Sequence, residues 1–188
     1  MQPRNAENTK ASIIKAARRI FEAKGYEMAT LRDIADVAGC NVALIARYFG
    51  SKRGLFQRAV LDTVNLRWSL TAPDKSVAEA LADYYTTQPR NTQEFDGFVT
   101  ILRSFASPEV GPLISDTLVA QGLEPMIDIM DGPDARARAI LLTAQLTGLI
   151  FHYRVLAINA QTPSEAEDVR ALLLPYLEKL LGRTGARA

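Results

Sequence analysis

Apolar residues in the first part of the chain recur with the period of a buried helical stripe. Ile13, Ala16, Ala17, Ile20 and Phe21 follow amphipathic-helix spacing over residues 9–24, and Lys10, Lys15, Arg18, Arg19 and Lys24 take up the remaining surface. Gly25 ends this helix, because a left-handed C-terminal cap costs glycine little. Thr30-Leu31-Arg32-Asp33 has the form of a capping box and opens a short second helix with Leu31, Ile34, Ala35 and Ala38 inward. Gly39 stops it. Asn41 is a good N-cap for a third helix, in which Ile45 and Phe49 return to the core before Gly50 and Ser51 break the chain. Ser51 caps a fourth, with Leu55, Phe56, Ala59, Val60 and Val64 in register, expected to reach Leu70 and to be closed by Pro73.

Downstream, the same period predicts helices at about 77–87, 92–107, 109–131, 134–159 and 164–181. Pro89, Pro108, Pro133 and Pro163 fall in gaps or at helix starts, where proline is tolerated. Gly122 and Pro125 are placed to split the third of these segments and Pro175 to bend the last. No convincing alternating strand pair occurs. The expected fold is therefore all-α with about nine helices, a three-helix domain over 1–51 followed by a larger helical domain over 52–188.

Composition narrows the class. Of 188 residues 48% are hydrophobic and the net charge is +1, which excludes disorder and predicts a packed core. The charge is unevenly divided: residues 1–60 hold 11 Lys and Arg against five Asp and Glu, or +6, whereas the remainder holds 11 against 16, or −5. A basic end and an acidic remainder point to a polyanion met by one end, although a solvated basic face fits charge alone. The most apolar stretch, residues 140–158, is interrupted by Gln145, His152 and Arg154, so it is expected as a helix buried on most sides within protein and not as a membrane span. A polar start, MQPRNAENTK, and a single cysteine, Cys40, place the protein in the cytoplasm by expectation.

Two short helices joined through Ala38-Gly39-Cys40-Asn41 match a helix-turn-helix unit, whose second helix enters the DNA major groove. An ordinary helical hairpin competes on spacing alone. The residues go further: Phe21, Gly25 and Tyr26, the run Thr30-Leu31-Arg32-Asp33-Ile34-Ala35, Ala38-Gly39, and Tyr48-Phe49-x-Ser51-Lys52 leading to Leu55 together resemble the DNA-binding domain of the TetR family of bacterial transcription regulators. Gly132-Pro133-Asp134-Ala135-Arg136 before a long Ala/Leu helix is similar, less specifically, to a C-terminal domain found among actinobacterial members.

This resemblance implies a homodimer that binds a palindromic double-stranded operator and represses transcription until a small, largely apolar molecule occupies the C-terminal domain. It places Thr30 and Arg32 toward DNA from the second helix, Asn41, Val42, Ala43, Leu44 and Ala46 at the start and groove face of the third, and Arg47, Tyr48 and Lys52 on phosphates. Arg and Lys supply charge and Tyr a hydroxyl donor, in agreement with that assignment. Val42, Leu44 and Ala46 depart from the polar or aromatic residues of many members, which leaves thymine methyl contact, Arg32 and Arg47 for direct readout.

For the effector, the candidates are Trp68, Tyr84, Phe98, Leu102, Phe105, Met126, Gln145 and His152, although aromatics at helical spacing are more often core. The helices at 134–159 and 164–181 carry enough apolar surface, including Val169, Leu172, Leu173, Tyr176, Leu177 and Leu180, for an isologous four-helix dimer interface; an intramolecular core is the alternative. Cys40 reads as a small buried hydrophobe and His152 as a hydrogen-bonded core residue. A single histidine, no Gly-rich phosphate loop and no nucleophile elbow leave no cofactor, metal or enzyme chemistry to expect. A helical enzyme or carrier, and a constitutive DNA-binding protein without effector, remain the competing functions.

Overall fold

The computed structural model describes residues 3–72, 74–87, 95–156 and 162–182, without the side chains of residues 3–5, 68 and 87. Among these the fold is all-helical: α1 (Pro3–Met28), α2 (Leu31–Ala38), α3 (Val42–Phe49), α4 (Lys52–Ala59), α5 (Val77–Thr87), α6 (Gly97–Ser104), α7 (Gly111–Leu118), α8 (Glu124–Asp128), α9 (Ala135–Ile150) and α10 (Pro163–Leu181). A π turn at Val119–Leu123 joins α7 to α8 in one interrupted rod, leaving nine rods, and a second at Phe151–Val155 extends α9. The predicted Pro73 and Pro89 breaks and the end of the 134–159 segment lie outside the described residues.

Local chemistry sets most boundaries. Thr30 accepts from the Asp33 N–H while the Asp33 carboxylate accepts from the Thr30 N–H, a complete capping box. Asn41, Ser51 and Asp96 cap α3, α4 and α6, and Thr162 with Glu165 forms a second box at α10. Gly25 (φ 71°) interrupts α1 near its end and Gly39 (φ 65°) ends α2, both in the left-handed range that favours glycine. Pro125 has no N–H to offer the Gln121 carbonyl one turn back, and the Leu66 N–H takes that carbonyl at 3.1 Å instead.

The fourth helix is shorter than periodicity predicts. It stops at Ala59, continues as a 3-10 turn at Leu61–Thr63, becomes extended at Val64 and turns again at Arg67–Thr71. At the stop, Arg18 Nε donates to the Ala59 carbonyl at 2.9 Å, and farther on the Asn65 side chain accepts from the Arg67 N–H at 2.7 Å, a donor that a continuing helix would use.

By packing, the chain divides into two units, Met1–Val64 with Thr92–Thr117 and Asn65–Asn91 with Leu118–Ala188. The partition differs from 1–51 and 52–188, since α4, α6 and α7 share the core of α1–α3. That core holds Ile13, Phe21, Tyr26, Ile34, Ile45, Leu55, Phe56, Ile101 and Ile114, all nearly or fully buried. Phe21, Tyr26 and Phe56 form an aromatic trio with ring centroids 5.1–6.1 Å apart. α6 is tied to α1 by Arg103 donating to the Ala23 carbonyl, Glu22 accepting from the Asp96 N–H, and the Tyr26 N–H donating to Ser104.

In the second unit, Leu81, Ala82, Met126, Ala139, Leu142, Leu146, Leu173 and Leu177 make a separate core. Asp83 on α5 accepts from Lys75 and from Arg170 on α10, each at 2.6 Å. Arg138 near the start of α9 donates to the Leu180 carbonyl at the end of α10 at 2.8 Å. The 140–158 segment is not buried on most sides within this chain. Ala135, Ala139, Leu142 and Leu146 face the core, while Ile140, Leu141, Phe151, Val155 and Leu156 are exposed, as are Leu172 and Tyr176 on α10.

Candidate nucleic-acid interface

α2 and α3 form the helix-turn-helix read from the sequence. With 100° per residue, burying Ile45 sends Ala43 and Arg47 to the opposite face of α3, and both are exposed, as is Ala46 at its side. Val42 and Leu44 are only half-exposed, and Val42 packs on the core, so the open stripe of this helix is narrower than the predicted set Val42, Ala43, Leu44 and Ala46. Asn41 is exposed, but its side-chain oxygen accepts from the Ala43 N–H at 2.8 Å, which leaves its amide N–H groups to donate outward. Thr30 and Arg32 are exposed at the start of α2. The Asp33 carboxylate is ion-paired to Lys24 at 2.9 Å; hydrogen bonds from Lys24 and Thr30 hold it below its ordinary carboxylate range.

Lys15, Arg19, Arg32, Arg47 and Arg53 are exposed and carry no ion pair among the described residues. Other cations of the same unit are committed: Arg18 caps α4, stacks over the Phe95 ring at 5.2 Å, and Lys10 pairs with Glu7. Arg53 was missed by motif reading, although its place one residue into α4 beside Lys52 was the available signal. Tyr48 is half-buried, packed on the core, with the Lys10 ammonium 5.6 Å from its ring centre. Lys52 turns inward. Its ammonium donates to the Tyr26 and Ala29 carbonyls at 3.0 and 3.2 Å and lies 4.2 Å from the Tyr26 ring centre. Cys40 is half-buried against the core and burial pushes its thiol pKa up, as befits a small hydrophobe.

The candidate effector residues separate. Phe98, Leu102 and Phe105 share one side of α6 and its end, in the first unit, with Leu102 and Phe105 exposed. Met126 is fully buried in the second core, and Tyr84 packs against that core with its ring edge-on to Tyr85 at 5.0 Å. Gln145 and His152 lie on the exposed side of the second unit. His152 is thus not a core residue; its Nδ1 sits 3.2 Å from the Gly148 carbonyl. The Trp68 side chain lies outside the described residues. No helix of the described residues is long and apolar enough to cross a membrane.

Comparison with known proteins agrees with this geometry. Residues 13–59 match the model of bacterial regulatory proteins of the tetR family, and residues 75–181 match that of the tetracyclin repressor-like C-terminal domain. The transcriptional repressor NicS of Pseudomonas putida is 32% identical over 114 residues, 54% of this chain and 50% of that protein. The regulator TtgR of Pseudomonas putida is 42% identical over 60 residues, 32% of this chain and 28% of its own length. In fold, NalD, the secondary repressor of the MexAB-OprM multidrug efflux pump in Pseudomonas aeruginosa, superposes with a TM-score of 0.71 at 20% identity, covering 93% of this chain and 96% of NalD. The capped α2–turn–α3 unit, its exposed cations without ion pairs among the described residues, and matches spanning both halves of the sequence lead to one assignment: the chain belongs to the tetR family of bacterial regulatory proteins.

Proposed function

We propose that this protein is a transcriptional repressor that binds a palindromic operator as a homodimer and is released by a small, largely apolar molecule. The observation that carries the reading is the helix-turn-helix, on which Arg32 of α2 and Arg47 of α3 are exposed without ion-pair partners among the described residues, with the small side chains of Ala43 and Ala46 exposed on α3 as well. Arg32 and Arg47 are assigned to base edges or phosphates, Thr30 and Tyr48 to phosphates through their hydroxyls, and Asn41 to donation through its amide. The methyl groups of Ala43 and Ala46, with the half-exposed Val42 and Leu44, are suited to thymine methyls.

A homodimer is supported by the apolar exposed side of α9 and α10, where Leu141 is 53% and Leu172 79% exposed. An isologous interface there uses one patch twice and holds two recognition helices at the spacing of a palindrome. The effector enters through differential affinity: a ligand bound by the helical domain lowers operator affinity only by preferring the conformer that binds DNA poorly. Phe98, Leu102, Phe105, Tyr84, Trp68, Met126, Gln145 and His152 are the residues to vary first in locating its site.

The test is to incubate the purified protein with sheared genomic DNA at about physiological salt, where non-specific contacts are weakened, and to sequence what is retained. The expected result is enrichment of a palindrome. No enrichment from a folded, ligand-free sample sinks the repressor reading, and enrichment without any preferred sequence replaces it with constitutive, non-specific binding.

A further inference from the structure

We infer that the helix-turn-helix reads the keto bases of its operator, guanine and thymine, and leaves the amino groups of adenine and cytosine unread. The inference rests on the operator-binding reading above and names the base chemistry recognised by that same site.

Capping decides which polar atoms are left for DNA. A residue that caps the start of a helix turns an oxygen toward the first N–H groups of that helix and keeps its own hydrogens. Three such residues border α2, α3 and α4: Thr30 Oγ1 accepts from the Asp33 N–H at 3.1 Å, Asn41 Oδ1 from the Ala43 N–H at 2.8 Å, and Ser51 Oγ from the Gly54 N–H at 3.0 Å. An oxygen held against its own helix is poorly placed to accept from a base as well, so these residues offer hydroxyl and amide donors. The Asp33 carboxylate is engaged too, its Oδ2 accepting from the Thr30 N–H at 3.1 Å and from Lys24 at 2.9 Å.

The recognition helix adds little that accepts. Of the eight residues of α3 only Arg47 and Tyr48 carry a polar side chain; Arg47 has donors alone, and the Tyr48 ring is half-buried against the core. Arg32 and Arg47 are exposed, and no carboxylate among the described residues pairs with either guanidinium. The rest of the exposed surface of α3 is methyl, from Ala43 and Ala46, with Val42 and Leu44 half-exposed. Asp36 is the exception, an exposed carboxylate on α2 without an ion pair among the described residues. It lies one turn beyond Arg32, on the helix that crosses the DNA backbone, where the phosphates repel a carboxylate.

Base edges divide along the same line. In the major groove guanine presents the O6 and N7 acceptors and thymine the O4 acceptor and a methyl group, whereas adenine and cytosine are told apart from them by an amino donor that only an acceptor reads. A surface of donors and methyls therefore selects guanine through Arg32 or Arg47 and thymine through the Asn41 amide and the alanine methyls. The N7 acceptor of adenine is shared with guanine and selects neither.

Base analogues that lack one group each test this on the retained genomic fragment. Nebularine is adenine without its amino group, 2-pyrimidinone is cytosine without its amino group, and 7-deazaguanine lacks only the N7 acceptor. Each would be placed in turn at every half-site position and, as a control for weakened pairing, in the flanks, with affinities measured by fluorescence anisotropy. The expected result is that deleting an amino group changes affinity by less than about twofold relative to the flanks, while 7-deazaguanine at one or more half-site positions weakens binding by about fivefold or more. The ratio between the guanine and 7-deazaguanine fragments should return to about one in either Arg32→Ala or Arg47→Ala, which assigns the contact. Loss of more than about fivefold on removing a half-site amino group overturns the inference, and so does indifference to 7-deazaguanine at every half-site guanine. A protein that retains no palindrome removes the operator reading itself, whereas a palindrome whose half-sites respond to amino-group deletion removes only the keto-base reading.

Discussion

The Tyr26 backbone N–H donates to the Ser104 hydroxyl at 3.1 Å, joining residues 78 apart in sequence inside the first core. Ser104 in turn donates to the Thr100 carbonyl at 2.8 Å and is 2% exposed, so its one hydroxyl satisfies a donor in α1 and an acceptor in α6. Ser104→Ala leaves the Tyr26 N–H buried without a partner, at a cost of about 1–3 kcal/mol. For a chain of this size that is a fall in thermal midpoint of roughly 2–10 °C, measurable by circular dichroism. An unchanged midpoint would show that the N–H finds another acceptor.

Arg47→Ala is expected to weaken operator binding by more than about tenfold at moderate salt and to leave the thermal midpoint unaltered, because this exposed side chain has no partner among the described residues. Fluorescence anisotropy with the retained fragment measures the first and calorimetry the second. Equal affinity for the variant removes Arg47 from the interface.

Replacing thymine by deoxyuridine in that fragment deletes the methyl group and nothing else. With Ala43 and Ala46 on the open stripe of α3 and the Asn41 acceptor already used by Ala43, readout by this helix leans on methyl contact and on donors. Affinity should fall by roughly fivefold or more when the substituted thymines lie in the half-sites, against little change in the flanks. Insensitivity at every position would assign specificity to DNA shape.

Leu172→Asp places a charge on a side chain that is 79% exposed and makes no core contact, so the subunit should fold normally. Across an isologous interface the substitution appears twice, which should shift the protein to a monomer in sedimentation and weaken operator binding by more than about tenfold. A dimer that survives Leu172→Asp and Leu141→Asp together moves the interface away from the α9–α10 face.

Asp83 contributes to the pH dependence of the second unit. Burial raises its pKa, but hydrogen bonds from Lys75 and Arg170 outweigh it, leaving the carboxyl below its ordinary value of 3.8. The charged form is thus favoured by folding. Its stabilisation is complete above the unfolded value and is lost as pH falls through the lower, folded one. Asp83→Asn should lower the thermal midpoint by about 2–4 °C near pH 7, and the gap to wild type should begin to narrow below about pH 4 and close as pH falls through the lower, folded value. A gap that persists in acid would assign the effect to packing.

Capping chemistry and periodicity made the helix-turn-helix legible before any coordinates. Thr30 with Asp33, Asn41, Ser51 and Gly39 bound α2, α3 and α4 through bonds to residues two to four positions away, and such bonds depend on little beyond the local chain. Less legible was the fate of the cations. Lys52, Arg18 and Arg103 each satisfy a backbone carbonyl far along the chain, at Tyr26 and Ala29, at Ala59 and at Ala23, and no spacing rule distinguishes them from the unpaired Arg32 and Arg47.

From sequence alone came the family, the all-helical class and the location of the recognition helix, because each follows from short-range pattern. Tertiary structure decided that α6 and α7 pack with the DNA-binding helices, that α4 stops at Ala59, that Met126 is core while Leu102 and Phe105 are open, and that Lys52 faces inward. Those outcomes turn on which helices share a core and which carbonyls are left without donors, and both are fixed only when segments distant in sequence meet.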